Sequence, residues 1–230
     1  MAITTTVRSI SAESPEVEDV AEVISQAFAA DPLILWLLDD QGPTWDKLEP
    51  SLQRWQQFRV EDAAINGVVL GAFQTSESST QETCRGAVLM FPTSQRQSIQ
   101  VMKRTMQYGY LKWYWKRFSI GMDAPNTNQQ RWQHMMAKHN EGLQTYTHAY
   151  SDYCYLEVIA SHPAAKGTGI GKALMSAVIE EAQGSAIILE CTDETTIPFY
   201  TKFGFSEVGR VELKDDQGST AMWMMVRKPE

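Results

Sequence analysis

The pattern of apolar and polar residues predicts a chain in which helices and strands alternate along most of its length. Short apolar or alternating runs are typical of strands, and they fall at residues 7–10, 68–74, 86–91, 150–161, 186–190, 207–213 and 221–227. Apolar residues three or four apart predict amphipathic helices, at residues 15–28, 33–38, 48–64, 95–118, 126–137, 170–183 and 195–203. The polar residues 75–83 predict a mobile hairpin tip.

The stretch from residue 156 to residue 174 carries the strongest local signal. An apolar run ends at Pro163, a glycine-rich loop follows, and a helix with one buried face begins at Ile170 and is expected to end at Gly184. Glycines between a strand and a helix let backbone N–H groups approach an anion at the positive end of the helix dipole. This stretch therefore predicts a binding site for a phosphate or pyrophosphate group.

The spacing of the glycines excludes two common phosphate-binding loops. A P-loop needs a glycine five residues before Gly171 and a serine or threonine after Lys172, but Lys166 and Ala173 stand there. The dinucleotide fingerprint also fails, because the third residue after Gly169 is Lys172 where a glycine is required. The remaining pattern is Lys166-x-x-Gly169-x-Gly171.

That pattern resembles the acyl-CoA pyrophosphate loop of the GNAT acetyltransferase superfamily, which reads Gln/Arg-x-x-Gly-x-Gly/Ala. Lys166 departs from the usual glutamine or arginine but keeps a cation there. Downstream, residues 199–205 read Phe-Tyr-Thr-Lys-Phe-Gly-Phe, which is similar to the last motif of the superfamily. Within the superfamily, the pattern is most similar to puromycin N-acetyltransferase and its relatives.

The resemblance implies an α/β (α+β) architecture, the GNAT acyl-CoA N-acyltransferase fold. Its central sheet is mixed, mostly antiparallel and twisted, splays apart between the fourth and fifth strands, and is flanked by helices. A single GNAT N-acetyltransferase domain covering residues 1–230 is expected, since this length builds one full hydrophobic core.

The resemblance also implies that acetyl-CoA is the cosubstrate. Backbone amides of the central strand would bind the acetyl carbonyl and the pantetheine arm, the glycine loop would hold the pyrophosphate, and Thr196 would hydrogen-bond the pantetheine amide from a position where the family often has asparagine. The expected cofactor-binding residues are therefore Ile159, Ala160, Ser161, Lys166, Gly167, Thr168, Gly169, Ile170, Gly171, Lys172 and Thr196.

Two side chains are expected to carry the proton transfers. Tyr200 stands where many members of the superfamily place a general acid beside the sulfur, and a phenol can protonate a departing thiolate. Glu157, on the central strand, is expected to be the general base that removes the proton from the acceptor ammonium. Three other residues remain open as the base, namely Asp152, Glu190 and His148.

The acceptor pocket is expected beside the two N-terminal helices, as in the superfamily. Candidate substrate-binding residues are Phe28, Asp31, Trp36 and Glu190. Asp31 also fits a purely structural role, because it stands before Pro32 where a helix cap is expected. One or two of the aromatic residues in 110–115 are further candidates for an aromatic acceptor site.

Composition narrows the possible partners. The net charge of −8 argues against nucleic acid, and an acidic surface attracts a cationic amine. No apolar segment is long enough to span a membrane, and His134 and His139 have no neighbours that complete a metal set. Three cysteines form no C-x-x-C pair, which suits a reducing compartment, so a cytoplasmic protein without a bound metal is expected.

Together these features predict an acetyl-CoA-dependent N-acetyltransferase that acts on a small-molecule amine, aromatic or xenobiotic, by direct attack in a ternary complex. Two alternatives stay open. An acetyltransferase of protein N-termini or lysines would have a peptide groove in place of a closed pocket, and a non-catalytic CoA-binding sensor would lack a usable acid and base.

Overall fold

Seven strands form one mixed sheet in the computed structural model, which describes residues 3–38, 45–76, 79–92, 128–150 and 152–230. The strands are β1 (Ile3–Ser9), β2 (Val68–Ser76), β3 (Ser79–Pro92), β4 (Tyr153–Ser161), β5 (Ala186–Cys191), β6 (Phe205–Lys214) and β7 (Ser219–Arg227). Their order is β1-β2-β3-β4-β5-β7-β6. Within the described sheet, β4 and β5 are the parallel pair and the other neighbours are antiparallel. This mixed, mostly antiparallel sheet confirms the predicted fold class.

Six helices flank this sheet in the described ranges. They are α1 (Val17–Ala27), α2 (Pro32–Leu37), α3 (Trp45–Asn66), α4 (Gln129–Thr147), α5 (Ile170–Glu181) and α6 (Ile197–Thr201). None of the helices in this part of the chain is long and apolar enough to cross a lipid bilayer.

The start of the first helix and the polar tip differ from the predictions. The first helix begins two residues after Pro15, because the hydroxyl of Ser14 accepts a hydrogen bond from the Glu16 N–H and closes a turn there. The loop predicted at residues 75–83 is wrong for most of its length, since β2 extends to Ser76 and β3 begins at Ser79, and these two residues pair. The helix predicted at residues 95–118 and the aromatic residues within it lie outside the described residues.

The helix α4 is longer than the prediction, which ended it at residue 137. It continues through Gly142, and a Cβ at that position would lie 3.3 Å from the sulfur of Met224 on β7. Glycine therefore lets this part of the helix approach the sheet closely. As a result α4 carries His139 and Leu143 over the end of β5, which the shorter predicted helix would not have done.

Hydrophobic cores lie on both faces of the sheet. On one face, α5 packs so closely on β3 that a Cβ at Gly86 would lie 2.6 Å from the Cγ2 of Ile170. On the other face, α1 and α3 cover the sheet with buried residues that include Val20, Ile24 and Val60. Burial of these apolar side chains is the main term that stabilises the layered fold.

The two parallel strands separate halfway along β4. Leu156 is the last residue of β4 that pairs with β5, opposite Leu189. The register of β4 with β3 shifts at the same point, so that Glu157 is the extra residue of a β-bulge. After the bulge β4 exchanges faces, because Leu156 and Val158 lie in different cores. The splay expected between the fourth and fifth strands is therefore present, and it opens a cleft beside residues 157–161.

Candidate active site

The cleft opens into a cavity of about 900 Å³ beneath helices α2, α3 and α4. Helix α4 contributes one face, because its lining residues recur at helical spacing from Trp132 through Met135 and His139 to Leu143. The sheet contributes residues from both separated strands. Of the predicted site residues, the cavity brings together Phe28, Asp31, Glu157, Ile159, Ala160, Ser161, Glu190, Thr196 and Tyr200.

A buried arginine holds α4 in place above this cavity. Arg131 is only 3% exposed and donates hydrogen bonds to the backbone oxygens of Trp36, at 2.6 Å, and Leu38, at 3.1 Å. It also forms an ion pair with Asp215 in the turn between β6 and β7, which lowers the pKa of that carboxyl. These contacts connect α4, the end of α2 and that turn.

Trp36 is the predicted acceptor residue that the structure places elsewhere. Its side chain is buried in a cluster with Leu33, Met135 and Met222 and does not line the cavity. The guanidinium of Arg131 lies 5.2 Å from the ring centroid. Trp36 therefore contributes packing beneath α4, since the helical turn after Pro32 directs it into this cluster.

The glycine-rich loop leaves open space where side chains would normally be. Gly167 and Gly169 have φ angles of +83° and +88°, and a Cβ on either would meet no atom within 4 Å. Gly169 is the N-cap of α5, so the N–H groups of the first turn have no partner earlier in the helix. Thr168 braces the loop by donating to Ala165 O at 2.7 Å.

This loop and the cavity meet at Ser161. The serine lines the cavity, and its Oγ would lie 3.8 Å from a Cβ on Gly171. The space beside Gly167 and Gly169 is open, and β4 and β5 are not paired beyond Leu156. The residues therefore suit a coenzyme A thioester bound with its diphosphate on the loop and its thioester toward the cavity.

Glu157 is held in the bulge of β4 by an arginine. Its Oε1 accepts hydrogen bonds from the Nε of Arg59 at 2.9 Å and from the Nη2 at 2.6 Å. Arg59 also donates to Gln56 Oε1 at 2.9 Å and lies over the ring of Trp55. These contacts hold the Glu157 carboxylate against the guanidinium in the cavity wall.

Glu190 is the centre of a second polar group. Its Oε2 lies 2.5 Å from the Nδ1 of His139 and accepts a hydrogen bond from the Tyr155 hydroxyl at 3.0 Å. Burial and the nearby carboxylates raise the pKa of Tyr155 well above its usual value, so the phenol stays a donor. The Oε1 of Glu190 is buried and has no hydrogen-bond partner among the described residues.

Tyr200 occupies an apolar corner of the cavity on α6. Its ring packs edge-on against Phe199 and Phe205, at centroid distances of 5.4 and 5.9 Å. Burial raises the pKa of Tyr200 well above its usual range, and the nearby Cys191, Asp31 and Asp193 act in the same direction. The hydroxyl is therefore protonated at neutral pH and can donate a hydrogen bond into the cavity.

Asp31 has a structural role as well as a place in the cavity wall. Its Oδ1 accepts from the N–H groups of Leu33 and Ile34, both at 2.9 Å, and thereby caps α2. Its Oδ2 accepts from the hydroxyl of Thr192, and burial raises the pKa of the carboxyl above its ordinary value. The cap predicted from the sequence is present, and the same carboxyl faces the cavity.

Other predicted residues lie at the margins. Thr196 lines the cavity, and its hydroxyl donates to Asp193 O at 2.8 Å. Asp152 accepts from Ser185 at 3.3 Å and His148 is exposed, and neither of these two alternatives for the base lines the cavity. The residue that the sequence reasoning missed is His139, although its spacing from Trp132 placed both on one helical face.

The comparisons with known proteins agree with this architecture. Residues 131–207 match the family model described as Acetyltransferase (GNAT) domain, which spans the glycine loop and Tyr200. No curated protein matches the chain at a significant level.

Several solved structures share the fold. One is described as a histone acetyltransferase HPA2 and related acetyltransferase from Corynebacterium glutamicum, with 20% identity, coverage of 99% of this chain and 97% of that chain, and a TM-score of 0.61. The polyamine N-acetyltransferase of Drosophila melanogaster has 12% identity, coverage of 97% and 99%, and a TM-score of 0.59. The arylalkylamine N-acetyltransferase 2 of Aedes aegypti has 15% identity, coverage of 98% and 99%, and a TM-score of 0.53.

Proposed function

We propose that this chain, which carries a GNAT acetyltransferase domain, transfers the acetyl group of acetyl-CoA to the amine of a small molecule. The observation that carries the proposal is the cleft where β4 leaves β5, because it joins the open glycine loop to the acid-lined cavity. A thioester that reaches through this cleft would enter the cavity from the side of the glycine loop, and the acceptor amine would meet it inside the cavity.

In this proposal the backbone does most of the cosubstrate binding. The residues from Lys166 to Lys172 hold the diphosphate with N–H groups at the positive end of α5. The unpaired edge of β4 from Ile159 to Ser161 offers N–H groups to the pantetheine arm and to the carbonyl oxygen that gains negative charge during attack. The bound thioester supplies the activated acetyl group.

A direct transfer fits the cysteines of the chain better than an acyl-enzyme does. Burial raises the pKa of Cys84 and of Cys154 to about 11, and burial also raises the pKa of Cys191, which lines the cavity. Since the thiolate is the nucleophilic form, these thiols are poor nucleophiles at neutral pH. The acceptor amine would therefore attack the thioester itself, and Tyr200 would protonate the departing thiolate.

The cavity suits a small cationic acceptor with an apolar body. Aromatic and apolar side chains on α3 and α4 line the cavity, including Trp55, Phe58 and Trp132, and carboxylates from α3, β4 and β5 line it as well. The polyamine and arylalkylamine enzymes of similar fold have substrates of this class by name.

We expect that Glu157→Gln mainly weakens acceptor binding. The neutral glutamine no longer balances the charge of the Arg59 guanidinium, which then repels the incoming ammonium. The acceptor KM should therefore rise about tenfold, while kcat changes by less than about threefold. Steady-state kinetics with varied acceptor measure both constants. Asp152→Asn is the matched control, and it should leave both unchanged. A fall in kcat of about a hundredfold for Glu157→Gln would instead identify Glu157 as the general base predicted from the sequence.

The proposed activity is tested by a thiol-release assay with acetyl-CoA against a panel of alkylamines, arylalkylamines, polyamines, aminonucleosides and peptides. We expect release of free CoA that depends on at least one small amine, in a sequential kinetic pattern. Activity with peptides alone would favour the protein acetyltransferase, and tight CoA binding without turnover on any acceptor would favour the sensor.

A further inference from the structure

The group formed by His139, Glu190 and Tyr155 has a defined hydrogen-bond direction. Both Nδ1 of His139 and the hydroxyl of Tyr155 meet the same oxygen, Oε2 of Glu190. A carboxylate oxygen only accepts, so the histidine carries its proton on Nδ1 when the ring is neutral. Nε2 is then the basic nitrogen. The hydrogen bond that this ring makes within the described residues is at Nδ1, which leaves Nε2 available.

The placement of this group points toward the acceptor. His139 and Glu190 both line the cavity, and the Glu190 side chain is 9% exposed with Oε1 unpartnered. A buried carboxylate oxygen without a donor carries a desolvation cost that an ammonium ligand would remove. An ammonium bound at Oε1 therefore lies in the cavity that the imidazole also lines.

We propose that His139 is the general base of the transfer and that Glu190 is the positioning residue that binds the acceptor ammonium and fixes the imidazole tautomer. This proposal rests on the proposed acetyltransferase function. Nε2 takes one proton from the ammonium and becomes imidazolium, and the neutral amine nitrogen forms the new C–N bond as the C–S bond breaks. Tyr200 gives its proton to the thiolate and regains one from the attacking nitrogen, and His139 returns its proton to solvent.

The electrostatic surroundings of His139 suit this role. Burial disfavours the imidazolium, but the hydrogen bond and the charge of Glu190, together with Glu157, outweigh it and raise the pKa above its ordinary 6.5. A raised pKa makes the protonated ring stabilising for the fold below pH 6.5, and that contribution is lost as the pH rises through the raised value. Among the described residues, the titratable or charged groups near the ring come from three neighbouring elements and from α4 itself. They are Glu190 on β5, Tyr155 and Glu157 on β4, Arg59 behind Glu157 on α3, and Lys138 and Glu141 on α4.

The matched variant for the test is His139→Asn. An asparagine amide keeps an N–H donor for Glu190 Oε2 and removes the basic nitrogen. For an alkylamine acceptor we expect His139→Asn to lower kcat/KM at neutral pH by about a hundredfold. The kcat/KM of the variant should rise again as the pH approaches the pKa of the amine. Its pH profile should lack the decrease at acidic pH that protonation of His139 causes in the wild type. A weakly basic acceptor that is already neutral should be acetylated by both proteins at similar rates. His134→Asn, an exposed histidine on the same helix, is the control and should behave as wild type.

A measurement that needs no turnover separates this inference from the proposed function. NMR of ring-labelled histidine should show His139 as the Nδ1–H tautomer when neutral, with a pKa above the ordinary value that falls in Glu190→Gln. Wild-type turnover combined with a pH profile of His139→Asn identical to wild type, or an Nε2–H tautomer, would overturn the inference while leaving the acetyltransferase proposal intact. Absence of turnover in wild type with every amine would instead overturn the proposed function.

Discussion

Replacing Gly169 with leucine is expected to weaken acetyl-CoA binding by about a hundredfold, equivalent to about 2.8 kcal/mol. The φ of +88° is costly for any residue with a Cβ, and the new side chain would enter the open space where we propose the diphosphate lies. Isothermal titration calorimetry with CoA measures the loss directly.

Gly184→Leu is the matched control for backbone strain. Gly184 has a φ of +82° at the other end of α5, and a Cβ there would meet only Glu230 O, at 3.9 Å. Both variants should lose stability to a similar degree, and Gly184→Leu should keep its CoA affinity. Equal CoA affinities for wild type and Gly169→Leu would contradict the assignment of the loop as the diphosphate site.

Tyr200→Phe is expected to lower kcat by about a hundredfold while leaving the dissociation constant of acetyl-CoA unchanged, because it removes the proposed proton donor and nothing else. The phenylalanine ring keeps the edge-on contacts with Phe199 and Phe205. Since the pKa of Tyr200 lies well above its usual range, no loss of wild-type activity from ionisation of this phenol is expected up to about pH 10.

Tyr146→Phe is the control for the loss of a phenol hydroxyl. Tyr146 packs against Gly209 on β6 and does not line the cavity, so this variant should be as active as wild type. If Tyr200→Phe also retains wild-type kcat while binding the cosubstrate normally, Tyr200 is not the acid, and water would have to protonate the thiolate.

The parts of the site that could be predicted from the sequence are those fixed by neighbouring residues. The strand, the proline, the glycines and the helix of residues 156–174 follow one another, and each has its own local conformational preference. The positive φ angles of Gly167, Gly169 and Gly204 agree with the turn and cap roles expected of them. The short helix before Gly204 likewise follows from Pro198 in its first turn.

The parts that could not be predicted depend on contacts between distant residues. Arg59 and Glu157 are 98 positions apart, and His139 and Glu190 are 51 positions apart. The bulge at Glu157 is a property of the register with β3, to which a single strand gives no clue. The sequence therefore indicated which strands carry carboxylates, but only the packed sheet shows that one faces an arginine and the other a histidine.

The sequence argument also misjudged Trp36 for a physical reason. An aromatic residue after a helix-starting Asp-Pro is equally compatible with a pocket and with a core. Trp36 is part of the core because Arg131 connects α4 with α2. The arginine hydrogen-bonds the Trp36 backbone oxygen, and its guanidinium lies over the Trp36 ring. That arginine lies 95 positions away, beyond the range of any helical pattern.

The most direct test of acetyl transfer in this cleft follows the acetyl group itself. Wild-type protein is incubated with acetyl-CoA labelled with ¹³C in the acetyl group and with the amine that releases the most thiol, and the products are analysed by mass spectrometry. We predict one labelled N-acetyl amide for each CoA released, with formation of the amide abolished by Gly169→Leu at low acetyl-CoA. Label found only in acetate, or retained in acetyl-CoA with every amine, would contradict the account.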